Sequence, residues 1–154
     1  MNSIENQLTA TREGLDTLPL RIGAGAIFAA HGAQKLFGWF GGYGLEGTAG
    51  WMASIGLEPG HLLAVLAGSA EFFGGLLLIV GLLVRPAALV LVVTMVVAIV
   101  SVHLEHGFFM SNNGYEFAFA LLVISVGLAL RGAGSYSLDR ILANSGSRIF
   151  VAAR

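Results

Sequence analysis

Between Pro19 and Arg131 the chain consists of four apolar runs almost free of charge, and this pattern constrains the fold more than any other feature. The runs are Pro19 to Phe40, His61 to Val84, Pro86 to His103, and a fourth that is apolar from Glu116 and reaches spanning length if it starts near Gly114. A helix crosses a bilayer in about 17–25 residues. Charged residues make up only 11% of the chain, against about 25% in a soluble domain. So few charges could not keep a soluble surface wet, whereas lipid accepts such a surface. The expected fold is an all-α integral membrane four-helix bundle over residues 19–131, with an N-terminal segment at 1–18 and a tail at 132–154. The first run is the least oily, carrying Arg21, His31, Gln34 and Lys35. It should lie against other helices, its Gly and Ala residues allowing close approach. No signal-peptide pattern of a short apolar core and a small-residue cleavage site opens the sequence.

The arginines predict the orientation. All seven (Arg12, Arg21, Arg85, Arg131, Arg140, Arg148 and Arg154) fall near the N-terminus, in the turn between the second and third runs, or from Arg131 onward. The other two loops, at about 41–60 and 104–115, hold no Lys or Arg. The positive-inside rule places both termini and Arg85 in the cytoplasm. Trp39, Tyr43, Trp51 and Tyr115 then form an aromatic belt on the outer side.

The second and fourth runs resemble each other. EFFGGLLLIVGLLVR (Glu71 to Arg85) and EFAFALLVISVGLALR (Glu116 to Arg131) both open Glu-Phe and close Val-Gly-Leu-x-x-Arg. This is the pattern expected of a parallel repeat, and chance matching of two oily helices also accounts for its Leu and Val positions. With arginine marking the cytoplasmic boundary, Glu71 lies about 21 Å above Arg85, Glu116 about 22 Å above Arg131, and Lys35 about 21 Å above Arg21. His31 shares the face of Lys35 one turn lower, and His103 lies about 26–27 Å above Arg85. Five ionisable residues are thereby expected at one level in the outer half of the bilayer.

A charge at that depth costs at least about 2.5–3.5 kcal/mol, so such residues pair or line a cavity. Two carboxylates facing the single cation of Lys35 leave a proton to be shared among Glu71, Glu116, His31 and His103, an arrangement suited to proton relay or to binding a polar head group. The competing reading is that the cluster only ties the helices together. Arg21 and Arg85 suit topology anchors better than ligands. His103, Glu105 and His106 do not form the H-E-x-x-H pattern, so no metal is expected. GYGLEG (Gly42 to Gly47) fits a dinucleotide fingerprint by letter only, since no strand precedes it. It is better read as a flexible outer loop. Within it, Thr48 to Ile55 has the pattern of a short interfacial helix, either a lid over the cluster or an ordinary anchor. The absence of cysteine excludes disulfides and thiolate metal sites, so a redox role would need a bound cofactor. The net charge of −1 gives no sign of nucleic-acid binding.

RIGAGAIFAAHGAQKLFG, AEFFGGLLLIVGLLVRPAAL, GYEFAFALL and GAGSYSLDR together resemble the DoxX family of small bacterial four-helix membrane proteins, over roughly Pro19 to Arg140. That resemblance implies a bacterial inner-membrane protein associated with redox chemistry. One related branch is the membrane subunit of a thiosulfate:quinone oxidoreductase, and other members are described as partners in oxidative-stress complexes. The polar positions carried over are Arg21, His31, Lys35, Glu71, Arg85 and Glu116. The leading expectation is a membrane subunit of a quinone-linked oxidoreductase. In it Lys35, His31, His103 and Arg21 are candidates to hold the quinone, and Glu71, Glu116, Lys35 and His31 to carry protons. The alternatives are a non-catalytic anchor for a soluble redox enzyme, and a small proton-linked transporter, for which four helices leave little room without self-association. The expected partners are the lipid bilayer, a partner subunit or soluble redox enzyme, and a second copy of the chain.

Overall fold

The structure, a computed structural model, describes residues 14–144. Arg12, Arg148, Arg154 and the rest of residues 1–13 and 145–154 lie outside the described residues. Among the described residues the chain is helical, with no strand. The principal helices are α1 (Thr17–Phe37), α2 (Gly44–Ser54), α3 (Gly60–Val80), α4 (Val84–Ala98) and α5 (Glu116–Arg131). From α4 the helical path runs on through a wide turn at Ile99–His103 and a tight one at Leu104–His106. Residues 138–144 form a last helical stretch.

Local chemistry sets the ends. Gly38, with φ 72°, closes α1 before the expected Phe40, because a left-handed residue stops a helix and glycine adopts it freely. Gly81, also at φ 72°, ends α3, and its N–H and that of Leu82 both return to the carbonyl of Leu77. The fourth run gains no turn before Glu116. Its preceding residues form a loop in which Tyr115 N–H bonds the Gly107 carbonyl at 3.1 Å and Glu116 N–H bonds that of Phe108 at 2.8 Å. The Gly-rich segment read as a flexible loop is largely helical, since α2 begins at Gly44 rather than Thr48. It packs Ala49 and Met52 against Ala64 of α3, and burial of that face stabilises a helix its glycines disfavour.

Two stretches, Gly60–Val80 and Val84–His106, are long and apolar enough to cross a membrane. On α4 and the wide turn that follows it, Leu89, Val93, Val97 and Val100 are all more than half exposed, a surface that water would penalise and lipid accepts. Inside, Phe28 of α1, Leu78 of α3, Leu91 of α4 and Leu121 and Leu128 of α5 form one buried cluster.

The contact between α1 and α3 positions the polar residues. A Cβ on Gly32 would lie 2.6 Å from the Cα of Phe72, and one on Gly75 would lie 2.6 Å from the carbonyl oxygen of Gly25. The two backbones touch where only hydrogen fits, the close approach that small residues permit in lipid. Gly32→Val should therefore destabilise the protein by roughly 1–3 kcal/mol through overpacking. Gly23→Val, whose Cβ would meet nothing within 4 Å, should be close to neutral. Thermal unfolding of both in one detergent tests this, and equal losses would discount the helix contact.

Candidate functional site between the first and third helices

Lys35 sits in the last turn of α1 and Glu71 midway along α3. Gly68 allows the lysine to pass, since even a bare Cβ there would lie 3.3 Å from the Cβ of Lys35. The Lys35 Nζ donates to Glu71 Oε2 at 2.5 Å. The Glu71 side chain is 5% exposed and that of Lys35 26% exposed, so the pair is buried on its acidic side and open on its basic side. Charge-assisted bonds of this kind are short and roughly twice as strong as neutral ones.

The open side faces a recess of about 490 Å³ lined by Gln34, Lys35, Tyr43, Thr48, Trp51 and glycines of the Gly41–Gly47 segment. Its far wall is α2, fixed by the Thr48 hydroxyl donating to the Lys35 carbonyl at 3.3 Å. Gly42 is tucked onto α1 so closely that a Cβ there would lie 2.5 Å from the Cα of Gln34. A recess over a half-buried ion pair can hold a neutral head group of ordinary ligand size, since such pockets run to about 300–1,000 Å³.

The other expected residues are placed differently. His31 lies one turn below Lys35, exposed, with its ring 6.0 Å from that of Phe117 on α5. Glu116 does not reach Lys35. Its Oε1 accepts the Met110 N–H at 2.7 Å and caps the turn before α5. His103 Nδ1 is 2.8 Å from the Asn113 carbonyl in the same loop, and His106 Nδ1 is 2.9 Å from the Val102 carbonyl. The expected convergence of five groups is thus a pair, Lys35 with Glu71, attended by His31. Equal depth along separate helices does not specify azimuth, and the loop's own unpaired amides and carbonyls compete for Glu116 and His103. Among the described residues no three His, Asp or Glu side chains are grouped to hold a metal ion.

Arg21 stands fourteen residues from Lys35, about 21 Å along the helix. It is 1% exposed and donates from Nη2 to the Tyr136 carbonyl at 2.6 Å. It belongs to a second polar cluster. Asp139, 2% exposed, accepts the N–H groups of Leu83 at 2.8 Å and Val84 at 3.1 Å. Thr17 donates to the Ala133 carbonyl at 2.9 Å, and Gly14 N–H to Ser135 Oγ at 2.9 Å. Residues 132–139 therefore bind together the start of α1 and the α3–α4 turn, where the sequence reading had only a tail. Thr48, Gly68 and Asp139 are contributors that reading missed. The one available signal was the polar motif GAGSYSLDR after the last apolar run.

A family model described as DoxX matches residues 17–104. A protein of Bacillus subtilis (strain 168) named "Putative oxidoreductase CatD" is 38% identical over 125 residues, covering 81% of this chain and 85% of its own. An uncharacterized protein of Haemophilus influenzae (strain ATCC 51907 / DSM 11121 / KW20 / Rd) is 34% identical over 86 residues, or 56% of this chain and 57% of its own. No solved structure matches the chain.

Proposed function

This chain belongs to the DoxX family, and on that premise we propose that it is the inner-membrane component of a quinone-linked redox system. In this reading α1, α3, α4 and α5 cross the bilayer and both termini are cytoplasmic. Reporter fusions after Arg85 and Arg140 should then read cytoplasmic and one at Gly47 external. An external signal at Arg140 would overturn the topology.

The observation that carries the reading is the Lys35–Glu71 pair at 2.5 Å with its basic side open to a ligand-sized recess. A quinone supplies a two-electron, two-proton acceptor, and the electrons come from a partner subunit carrying a redox centre. Lys35 would donate a hydrogen bond to a head-group carbonyl and Gln34 would offer a neutral amide beside it, while the ionised Glu71 carboxylate would take up protons from solvent and return them to Lys35, one for each of the two protons the head group needs. α2 limits access of water. The relative named as an oxidoreductase supports the redox class.

Glu71→Gln keeps shape and hydrogen bonding but removes the exchangeable proton. In a strain lacking the native protein it should reach wild-type membrane levels and lose quinone-linked turnover by about a hundredfold, the low end of general acid–base contributions. Wild-type turnover at normal abundance would sink the proposal. A second reading, a non-catalytic anchor for a soluble enzyme, draws on Tyr136, Leu138, Ile141 and Leu142, all exposed on residues 136–142. It predicts that substitutions there, and not at Glu71, abolish activity.

A further inference from the structure

Across the Trp39–Gly41 turn from the polar recess lies an apolar groove of about 210 Å³. Ala26, Ala29, Ala30 and Ala33 form its floor, and Trp39, Phe40 and Phe72 its walls. The alanines stand at i, i+3, i+4 and i+7, so one face of α1 is a trough where most helices present a ridge. The two cavities are lined by residues adjacent in sequence. Ala33 lines the groove and its neighbour Gln34 the recess, while Phe40 lines the groove and its neighbour Gly41 the recess. Gln34 Nε2 donates to the Phe40 carbonyl at 3.3 Å. Phe40 is held there at φ 54°, a left-handed conformation costly for a bulky residue. On the polar side the Lys35 charge is already matched by Glu71, so the recess offers no net charge and suits a neutral, carbonyl-bearing head.

We propose that the alanine groove holds the hydrocarbon tail of the same quinone whose head group enters the recess, the tail leaving over the Gln34–Phe40 contact. This rests on the quinone reading above and adds which face of α1 the molecule lies along. Lipid tails are as apolar as the groove, so a bound tail gains packing contacts rather than hydrophobic free energy. Its position, more than its affinity, is therefore the quantity to measure.

The full chain in phosphatidylcholine nanodiscs would be irradiated with a decyl-benzoquinone bearing a diazirine at the tail end, and labelled peptides mapped by mass spectrometry. Label is expected on residues 26–33 or on Phe72, reduced several-fold by excess decylubiquinone. Ala30→Phe, which fills the trough, should lower that labelling several-fold while leaving the binding of a tail-less benzoquinone unchanged. Should that variant fail to insert, Ala30→Val should give a smaller loss in the same direction. Label spread over Val93 and Val97 and insensitive to competitor would place the tail in bulk lipid and overturn the inference, with the head-group reading intact. So would a diazirine-tailed phosphatidylcholine that labels the groove and is not displaced by decylubiquinone. If the wild type binds neither quinone, the proposed function itself falls and this inference with it.

Discussion

Lys35→Met is expected to lower stability by roughly 3–5 kcal/mol, because it leaves the Glu71 carboxylate buried with no partner. Glu71 is 5% exposed, and Lys35 is the sole cation within 4.0 Å of it among the described residues. The cost is that of desolvating an uncompensated charge, and it exceeds what the pair contributes net. Lys35→Met combined with Glu71→Leu should therefore recover most of the loss, since replacing both members of a buried pair by apolar groups is often neutral or stabilising. The same double variant should have no quinone-linked turnover. Denaturant unfolding in detergent, beside turnover at matched membrane levels, separates a pair that binds helices from one that moves protons. A double variant with both wild-type stability and wild-type turnover would leave the pair without a catalytic role.

Asp139→Ala is expected to cost about as much, roughly 3–5 kcal/mol, although it lies at the opposite end of the molecule from the recess. Its carboxylate accepts two backbone N–H groups at the start of α4, where the helix dipole also favours a negative charge. One of those donors belongs to Leu83, held at φ 49°, a left-handed conformation that persists only when its surroundings enforce it. Asp139 also interacts electrostatically with the buried Arg21 guanidinium, whose Nε and Nη1 have no hydrogen-bond partner. Removing the carboxylate orphans the amides and leaves the cation uncompensated. Asp139→Asn keeps an acceptor oxygen and should show an intermediate loss. Thermal unfolding, with proteolysis of the C-terminal segment as a local probe, tests this. An unchanged midpoint with unchanged protection would show that residues 132–139 contribute no stability.

The helical class, the two most apolar spans and the shared level of Lys35 and Glu71 were legible in the sequence because each rests on a local or one-dimensional property. Run length and charge scarcity mark the helices, and the rise per residue measured from an arginine gives the depth of a side chain. That gauge put Lys35 and Glu71 at one level, and they meet. It also put Glu116 and His103 there, and they bond their own loop instead. Depth is a projection along the helix axis, whereas contact also needs the rotation of each helix about that axis. The rotation is decided where backbones touch, at Gly25, Gly32, Gly68 and Gly75 between α1 and α3, and glycines in an apolar run carry no label saying which will face another helix. The same limit hid the full extent of α2 and the closure made by residues 132–139. α2 is a helix by virtue of the α3 surface it covers, and Asp139 is structural because it meets amides 55 and 56 residues away. Composition and spacing determined which solvent this chain folds in and how deep its charges lie. Tertiary packing alone decided which of those charges meet, because partner choice depends on azimuth and loop closure, neither of which a linear pattern encodes.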